Sequence, residues 1–274
     1  MNQPPRHAVG CVSFLNARPL IEGLDGRDDI EVRYDVPSRL IEDLERGEVD
    51  IALCPVIDYQ RAGVELELVP VGGIGCDGPT LTVRLFSRIP IPQITRVLTD
   101  TDSHSSVILL RVILADQYGI QPEIAPLPVE STWRDSAEAV LLIGDKVVSR
   151  APDEAVYPHQ LDLGEAWKKL TGLPFVFAIW MARRGASLGA LPQTLWHAQH
   201  SNAFRIDEIV TRHAAVLGWP ADLAAHYLGD LLHYTIGPPQ LQAVELFWQR
   251  AHALGQIPQL RPLRCSQPVG QAES

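Results

Sequence analysis

The sequence predicts an α/β protein built as two lobes, and three observations carry that expectation. Strand-like apolar runs alternate with amphipathic helical stretches from Ala8 to Arg183. The alternation breaks once, at the proline-rich segment PIPQIT (90–95), and then restarts. From about Leu191 onward the pattern is wholly helical. Two α/β blocks, roughly 7–88 and 95–178, therefore meet near 88–94, and a helical segment must pack on one of them. A cleft between two such blocks is a favoured place for a ligand.

The elements follow in order. Ala8–Phe14 is a short strand that leads into VSFLNARPL (12–20), where Pro19 keeps Arg18 out of helical geometry. Ile30–Val36 is a second strand. Ser38 then reads as an N-cap, Leu40, Ile41 and Leu44 form one apolar helix face, and Gly47 suits the stop. VDIALCP (49–55) is a near-continuous apolar run, as a strand covered on both faces should be. VIDYQRAG (56–63) reads as a short helix, VELELVPVGGIGC (64–76) as a strand with a glycine-rich turn, and TLTVRLFSR (80–88) as another strand. After the break, residues 96–120 read as strand, polar loop and a long helix from about Ser103. EIAPLP (123–128) is a strand, and the acidic and small residues near 130–138 suit a short helix. AVLLIGD (139–145) is a buried strand ending on Gly144 and Asp145. DLGEAWKKLTGLP (162–174) is a helix closed by Gly172, and FVFAIWMAR (175–183) is a strand with bulky side chains on both faces. Three helical stretches, 194–218, 221–237 and 238–255, complete the chain before a polar tail, RCSQPVGQAES, expected to fray.

Composition narrows the function. The 274 residues are 46% hydrophobic and 20% charged, ordinary for a soluble globular protein. The net charge of −10, without a run of Lys or Arg, argues against a nucleic-acid partner, which needs a concentrated cationic face. No apolar run is long enough to span a bilayer, and MNQPPRHAVG lacks the apolar core of a signal peptide. The expectation is a cytoplasmic protein with no membrane or nucleic-acid partner. Cys11, Cys54, Cys76 and Cys265 are widely spaced, with no CxxC pair and no zinc-like spacing, so they read as free thiols. His197 and His200 stand three apart on a helix without an evident third ligand, and His226 and His233 read as solvated helix histidines. VGGIGCDG lacks the spacing of a nucleotide loop. Neither a metal nor a cofactor is expected.

Polar groups gather where strands end. Ser13, Asn16 and Arg18 form one cluster, and Ser87, after VRLF, a second. The third is DTDSHSSV (100–107), where Ser103, Ser105 and Ser106 open a helix whose first N–H groups are unpaired. Such a terminus binds carboxylate without needing lysine. Gly144 and Asp145 stand at the end of a further strand.

The segments VSFLNARPLIEGL, DVPSRLIEDLERGEVDIALCPVIDY, DTDSHSSVILLRVIL, AVLLIGD, DLGEAWKKLTGLPFVFAIW and HYLGDLLHYTIG resemble, in this order, the chorismate dehydratases of the futalosine route to menaquinone. The SFLNxxPL element is the most specific of them. The sister enzyme of that route, which cleaves cyclic dehypoxanthine futalosine, usually opens with an SPCPNDT-like element that is absent here. A non-catalytic cytosolic protein binding a small anion would share the fold. The resemblance implies a bilobed type II periplasmic-binding-protein-like fold with a hinge and C-terminal helices. It implies a first lobe of residues 7–88 plus 182–262, a second lobe of 93–178, and a tail of 263–274.

The implied reaction is loss of water from chorismate, without metal or cofactor, to give 3-[(1-carboxyvinyl)oxy]benzoate. By similarity, Asn16 and Ser87 are the expected catalytic groups, with Ser13, Arg18, Ser103, Ser105, Ser106, Gly144 and Asp145 binding the substrate. The helix-opening motif of the family often reads DTSSRTS; here Asp102 adds a negative charge and His104 replaces a permanent cation. Asp145 and His104 are the protein's candidate bases, and the expected base is the enolpyruvyl carboxylate of chorismate itself.

Overall fold

The structure is a computed structural model and describes residues 6–99, 103–128 and 136–266. Its first stretch is β1 (His7–Cys11), a 3-10 turn at Leu15–Ala17, α1 (Arg18–Ile21), β2 (Ile30–Tyr34), α2 (Pro37–Arg46), β3 (Ile51–Pro55), α3 (Asp58–Arg61) and β4 (Leu66–Cys76). Arg18, expected to avoid helical geometry ahead of Pro19, instead adopts it at φ −56° and ψ −42°, because its N–H continues the 3-10 turn by donating to the Leu15 carbonyl. Helix α2 begins two residues earlier than a Ser38 cap requires. Val36, in extended geometry, is the N-cap, and Pro37 takes the first helical position, where its missing N–H costs nothing. Gly47 ends the helix at φ +74°, in the left-handed region, donating its N–H to Asp43 and Leu44 carbonyls. The glycines expected to make a turn lie inside β4 instead. A Cβ on Gly73 or Gly75 would stand 2.7 or 2.6 Å from the carbonyl oxygens of Ala178 and Phe175, so glycine is what lets the neighbouring strand approach.

The middle of the chain supplies β5 (Val83–Ser87), β6 (Arg96–Thr99), α4 (His104–Tyr118), β7 (Glu123–Pro126), β8 (Ala139–Ile143), α5 (Asp145–Arg150), β9 (His159–Asp162) and α6 (Leu163–Thr171). The short helix expected near 130–138 falls largely outside the described residues. The last third supplies β10 (Phe175–Arg183), α7 (Leu191–Ala203), α8 (Ile206–His213), α9 (Ala221–His226), β11 (Leu232–His233) and α10 (Pro238–Ala253). The single helix expected over 221–237 widens into a π-type turn at Tyr227–Leu231 and then extends, so that Leu232 and His233 pair with β4.

The strands form two sheets. One has the order β11-β4-β10-β3-β1-β2 and the other β7-β6-β8-β5-β9. In the first, β1, β2 and β3 are parallel, and β10 runs antiparallel between β3 and β4. In the second, β6, β7 and β8 are parallel, while β5 runs antiparallel to both β8 and β9. Sheet membership shifts the expected division. Val83–Ser87 belongs to the second sheet rather than with residues 7–88, and all of Phe175–Arg183 belongs to the first. The chain therefore crosses between lobes within 77–82 and returns through 163–174.

One carboxylate ties the two crossings together. Asp162, 7% exposed, accepts hydrogen bonds from Thr80 and Leu81 on the outgoing segment and from Gly164 and Glu165 on the returning one. Leu81 sits at φ +63°, a strained region for a branched residue, and its N–H bond to Asp162 is 2.8 Å long. The crossings also touch: a Cβ on Gly164 would lie 2.5 Å from the Gly78 carbonyl oxygen.

Aromatic rings fill the space beneath the hinge. Trp167 of α6 meets Phe175 of β10 at 5.3 Å and Phe247 of α10 at 6.1 Å, both edge-on. Near the C-terminus the chain does not fray at once. The Arg264 carbonyl accepts the Leu68 N–H, and the Ser266 N–H donates back to the Leu68 carbonyl, docking 264–266 along β4. Residues 267–274 lie outside the described part. Among the described residues, no helix is long and apolar enough to cross a membrane.

Candidate active site

A cavity of about 400 Å³ lies where the two sheets face each other. In the first lobe, the C-terminal ends of β3 and β4 and the N-terminal end of β10 share one edge, since Phe175 pairs with Cys76 and Ala178 with Pro55. That edge contributes Leu53, Pro55, Ile74, Phe177 and Ala178 to the cavity wall. In the second lobe the C-terminal end of β8 and the N-terminal end of β5 share the facing edge, where Val83 pairs with Ile143. The wall is mostly apolar, with polar groups at a few points, as small-molecule sites tend to be.

Asn16 is one of those points. It sits in the 3-10 turn between Leu15 and Ala17, both fully buried, so the turn is pinned on either side and the amide faces the cavity. Its Oδ1 is buried and has no hydrogen-bond partner. Such an orphan acceptor is uncommon and calls for a donor. Beside it, the Tyr227 hydroxyl lies 2.7 Å from Thr82 Oγ1. Burial pushes the Tyr227 phenol far above its usual range, and hydrogen bonds with Thr82 and Asn16 offset this in part, so it remains a neutral O–H at ordinary pH. Thr80 also lines the cavity, and its buried Oγ1 lacks a partner.

The opening of α4 is the second polar point. Ser103 and Ser106 line the cavity, and the Ser103 hydroxyl donates to Ser106 Oγ at 2.9 Å. The first N–H groups of this fifteen-residue helix have no intrahelical partner. Gly144, Asp145 and Lys146 complete the lining on the second lobe, and Lys146 is the one cation among the described lining residues. Asp145 Oδ1 accepts the indole N–H of Trp219 at 2.8 Å. Burial raises the Asp145 carboxyl above its usual range, while that indole N–H pulls the other way.

The remaining expected residues lie elsewhere. Ser87 is fully buried at the opposite end of β5, paired with Ala139, about 13 Å along the strand from Val83. Its hydroxyl donates to the Ile89 carbonyl at 2.7 Å and accepts the Ile89 N–H, so it closes a turn. Ser13 is exposed and does not line the cavity; its carbonyl accepts from Arg18. Arg18 turns toward the Tyr34 ring, 5.3 Å from its centroid, and is also absent from the lining. Ser105 is spent on the backbone, accepting the Ile57 N–H and holding α4 against the first lobe. His104 Nδ1 lies 2.8 Å from buried Asp58 and opens onto a separate groove with Arg61 and Arg111. Asp102 lies outside the described residues.

Thr80, Thr82, Lys146 and Tyr227 are the polar lining residues that reading the sequence missed. Thr82 had a faint signal, since it opens the same strand that Ser87 closes. Tyr227 had none, because it falls inside a run of regular helical spacing. Of the residues expected to be plain core, Phe177 lines the cavity. His197 and His200 flank the Trp196 ring, His200 stacked on it at 3.9 Å.

Comparison with known proteins places this geometry in context. A family model described as menaquinone biosynthesis matches residues 7–253. The chain is 29% identical over 250 residues to a chorismate dehydratase of Thermus thermophilus, covering 86% of this chain and 92% of that protein. Among solved structures, the aliphatic sulphonate binding protein SsuA of Escherichia coli matches with a TM-score of 0.64 at 19% identity, covering 94% of this chain and 95% of that one. SsuA of Xanthomonas axonopodis pv. citri, bound to MOPS, matches with a TM-score of 0.67 at 16% identity and 96% of each chain. These likenesses fix the fold as periplasmic-binding-protein-like.

Proposed function

The chain belongs to the menaquinone-biosynthesis family, and from that premise we propose that it is a chorismate dehydratase, acting at the head of the futalosine route and needing neither metal nor cofactor. Similarity to the Thermus thermophilus enzyme supports the substrate. The observation that carries the chemistry is the cluster of neutral donors and acceptors around Asn16 in an otherwise apolar cavity between the lobes.

Chorismate carries two carboxylates, one hydroxyl and a cyclohexadiene ring. The hydroxyl at C4 is its hydrogen-bond donor, and Asn16 Oδ1 is the buried acceptor without a partner. We place that hydroxyl on Asn16, with the Tyr227–Thr82 hydroxyl pair beside it. One carboxylate is held by the Ser103 and Ser106 hydroxyls and the N–H groups that open α4, and Lys146 supplies the nearby positive charge.

The elimination then proceeds in two electron movements. The C3 proton leaves, and its electron pair delocalises through C1=C2 into the ring carboxylate. Donors aimed at that carboxylate strengthen as charge arrives, which lowers the barrier rather than the ground state. The pair then forms C3=C4 as the C4–O bond breaks, and the ring becomes aromatic. Among the described residues, Asp145 is the one carboxylate lining the cavity, and its Oδ1 is held by Trp219. The proton acceptor in this scheme is therefore the enolpyruvyl carboxylate of chorismate, which passes the proton to the departing hydroxide to make water. Ser87 has no part in this scheme, and Thr82 supplies the hydroxyl expected there.

Purified protein mixed with chorismate, with EDTA present, should generate the absorption of a substituted benzoate. Asn16→Ala should lower kcat/KM by about a hundredfold or more, and His104→Ala should stay within about tenfold of the parent. Binding without turnover would mark a non-catalytic binder and sink the reading. Indifference to chorismate together with cleavage of cyclic dehypoxanthine futalosine would move the protein to the sister activity. A loss of about a thousandfold from His104→Ala would restore a protein base.

A further inference from the structure

We propose that the hydrogen bond from Trp219 to Asp145 is a latch that closes the two lobes over the cavity, and that Trp219 is a positioning residue for the groups facing the substrate. The proposal rests on the dehydratase reading for its kinetic consequences, and on geometry alone for the latch.

Asp145 opens α5 at the end of β8, in the second lobe, and lines the cavity. Trp219 lies between α8 and α9, in the helices that pack on the first lobe. Their 2.8 Å bond therefore spans the lobes at the cavity wall. It differs from the other indole bonds among the described residues. Trp167 and Trp248 donate to the backbone carbonyls of Pro174 and Val56. Trp219 donates to a side-chain carboxylate carried by the opposite lobe, so its bond forms and breaks with lobe closure.

The other end of the device reaches the candidate catalytic groups. The Trp219 ring, 3% exposed, stacks on Tyr227 with centroids 4.9 Å apart and planes 12° from parallel. Tyr227, also buried, touches Thr82 of the outgoing crossing at 2.7 Å and bonds with Asn16. Closing the latch seats Trp219, Trp219 fixes the plane of Tyr227, and Tyr227 holds the hydroxyl and amide that meet the leaving oxygen. Asp145 acts in this chain as an acceptor for the indole, not as an acid or base toward substrate.

Four variants test this. Trp219→Phe keeps an aromatic ring against Tyr227 and removes the N–H together with the pyrrole ring. Asp145→Ala removes the acceptor, and Asp145→Asn keeps an acceptor oxygen. Trp219→Phe and Asp145→Ala should each raise KM for chorismate about tenfold with a smaller fall in kcat, and the double variant should lose no more than either alone. Asp145→Asn should restore KM to within about twofold of the parent. Without substrate, X-ray scattering should show a larger radius of gyration for Trp219→Phe and Asp145→Ala than for the parent and Asp145→Asn. Parent-like Trp219→Phe in both readouts overturns the latch. So do losses that multiply in the double variant, and an Asp145→Asn as impaired as Asp145→Ala, which would assign the carboxyl to the chemistry. If the parent is inert toward chorismate, the dehydratase reading fails, and the scattering comparison alone decides the latch. If the alanine variant fails to fold, Trp219→Phe, which keeps an aromatic ring, and Asp145→Asn, which conserves shape, carry the comparison.

Discussion

Burial gives the Asp145 carboxyl a cost that can be measured separately from catalysis. Its folded-state value is raised above the usual 3.8, chiefly by desolvation, with the Trp219 indole opposing. A group raised in the folded state favours folding while it holds its proton, and that contribution is lost as pH climbs through the raised value. Asp145→Asn abolishes the titration and keeps an acceptor for the indole. The melting temperature of Asp145→Asn relative to the parent should therefore climb as pH rises from below 3.8 toward neutrality. A difference that stays flat over that window would mean the carboxyl is solvated in the folded protein. Asn16 was readable from its neighbours for a related physical reason. An amide set between residues as apolar as Leu15 and Ala17 either bonds its own loop or faces a ligand, and here it lines the cavity with one oxygen unpaired.

At the level of elements, the strand and helix pattern was legible because burial on both faces and helical spacing leave strong periodic marks. Direction was not legible. Ser87, a polar group where a strand ends, was expected in the site by similarity, but β5 runs antiparallel to β8, so its first residues meet the cavity and its last are remote. That reversal depends on which strand lies beside which, a long-range fact that no local pattern encodes. The same holds for the hinge. Asp162 is a recognisable helix cap, bonding Gly164 and Glu165, yet its bonds to Thr80 and Leu81 join segments about eighty residues apart. Asp162→Ala would leave four backbone donors without their acceptor. It should lower the unfolding free energy in urea by about 3 kcal/mol or more. Gly164→Ala, which drives a methyl into the Gly78 carbonyl, should cost about 1–3 kcal/mol. Changes below half a kilocalorie in both would show that the crossings are slack.

For the molecule as a whole, the electrostatic puzzle is how a chain of net charge −10 takes in a dianion. The cavity answers with few charges and many dipoles. The opening of α4, the hydroxyls of Ser103, Ser106, Thr80, Thr82 and Tyr227, the Asn16 amide, one lysine and the Asp145 carboxyl face a space otherwise lined by hydrocarbon. Dipoles fixed in a dry cavity interact strongly with developing charge and need no reorganisation. The acidic exterior is a separate matter, since charges beyond a Debye length of about 8 Å in physiological salt are largely screened.

That cavity takes its walls from two lobes, so the latch proposed above would gate entry to it. With the latch shut, capture waits for the lobes to part, which sets a ceiling on how fast substrate can be taken up. In stopped-flow mixing, the observed association rate should rise with chorismate concentration, then level off at the opening rate, and Trp219→Phe should lift that plateau. A rate that grows linearly without limit would mean that the seat is reached from solvent directly. The same geometry governs escape: a well-fitting inhibitor departs on the timetable of the protein, and its residence time reports the hinge more than its own affinity.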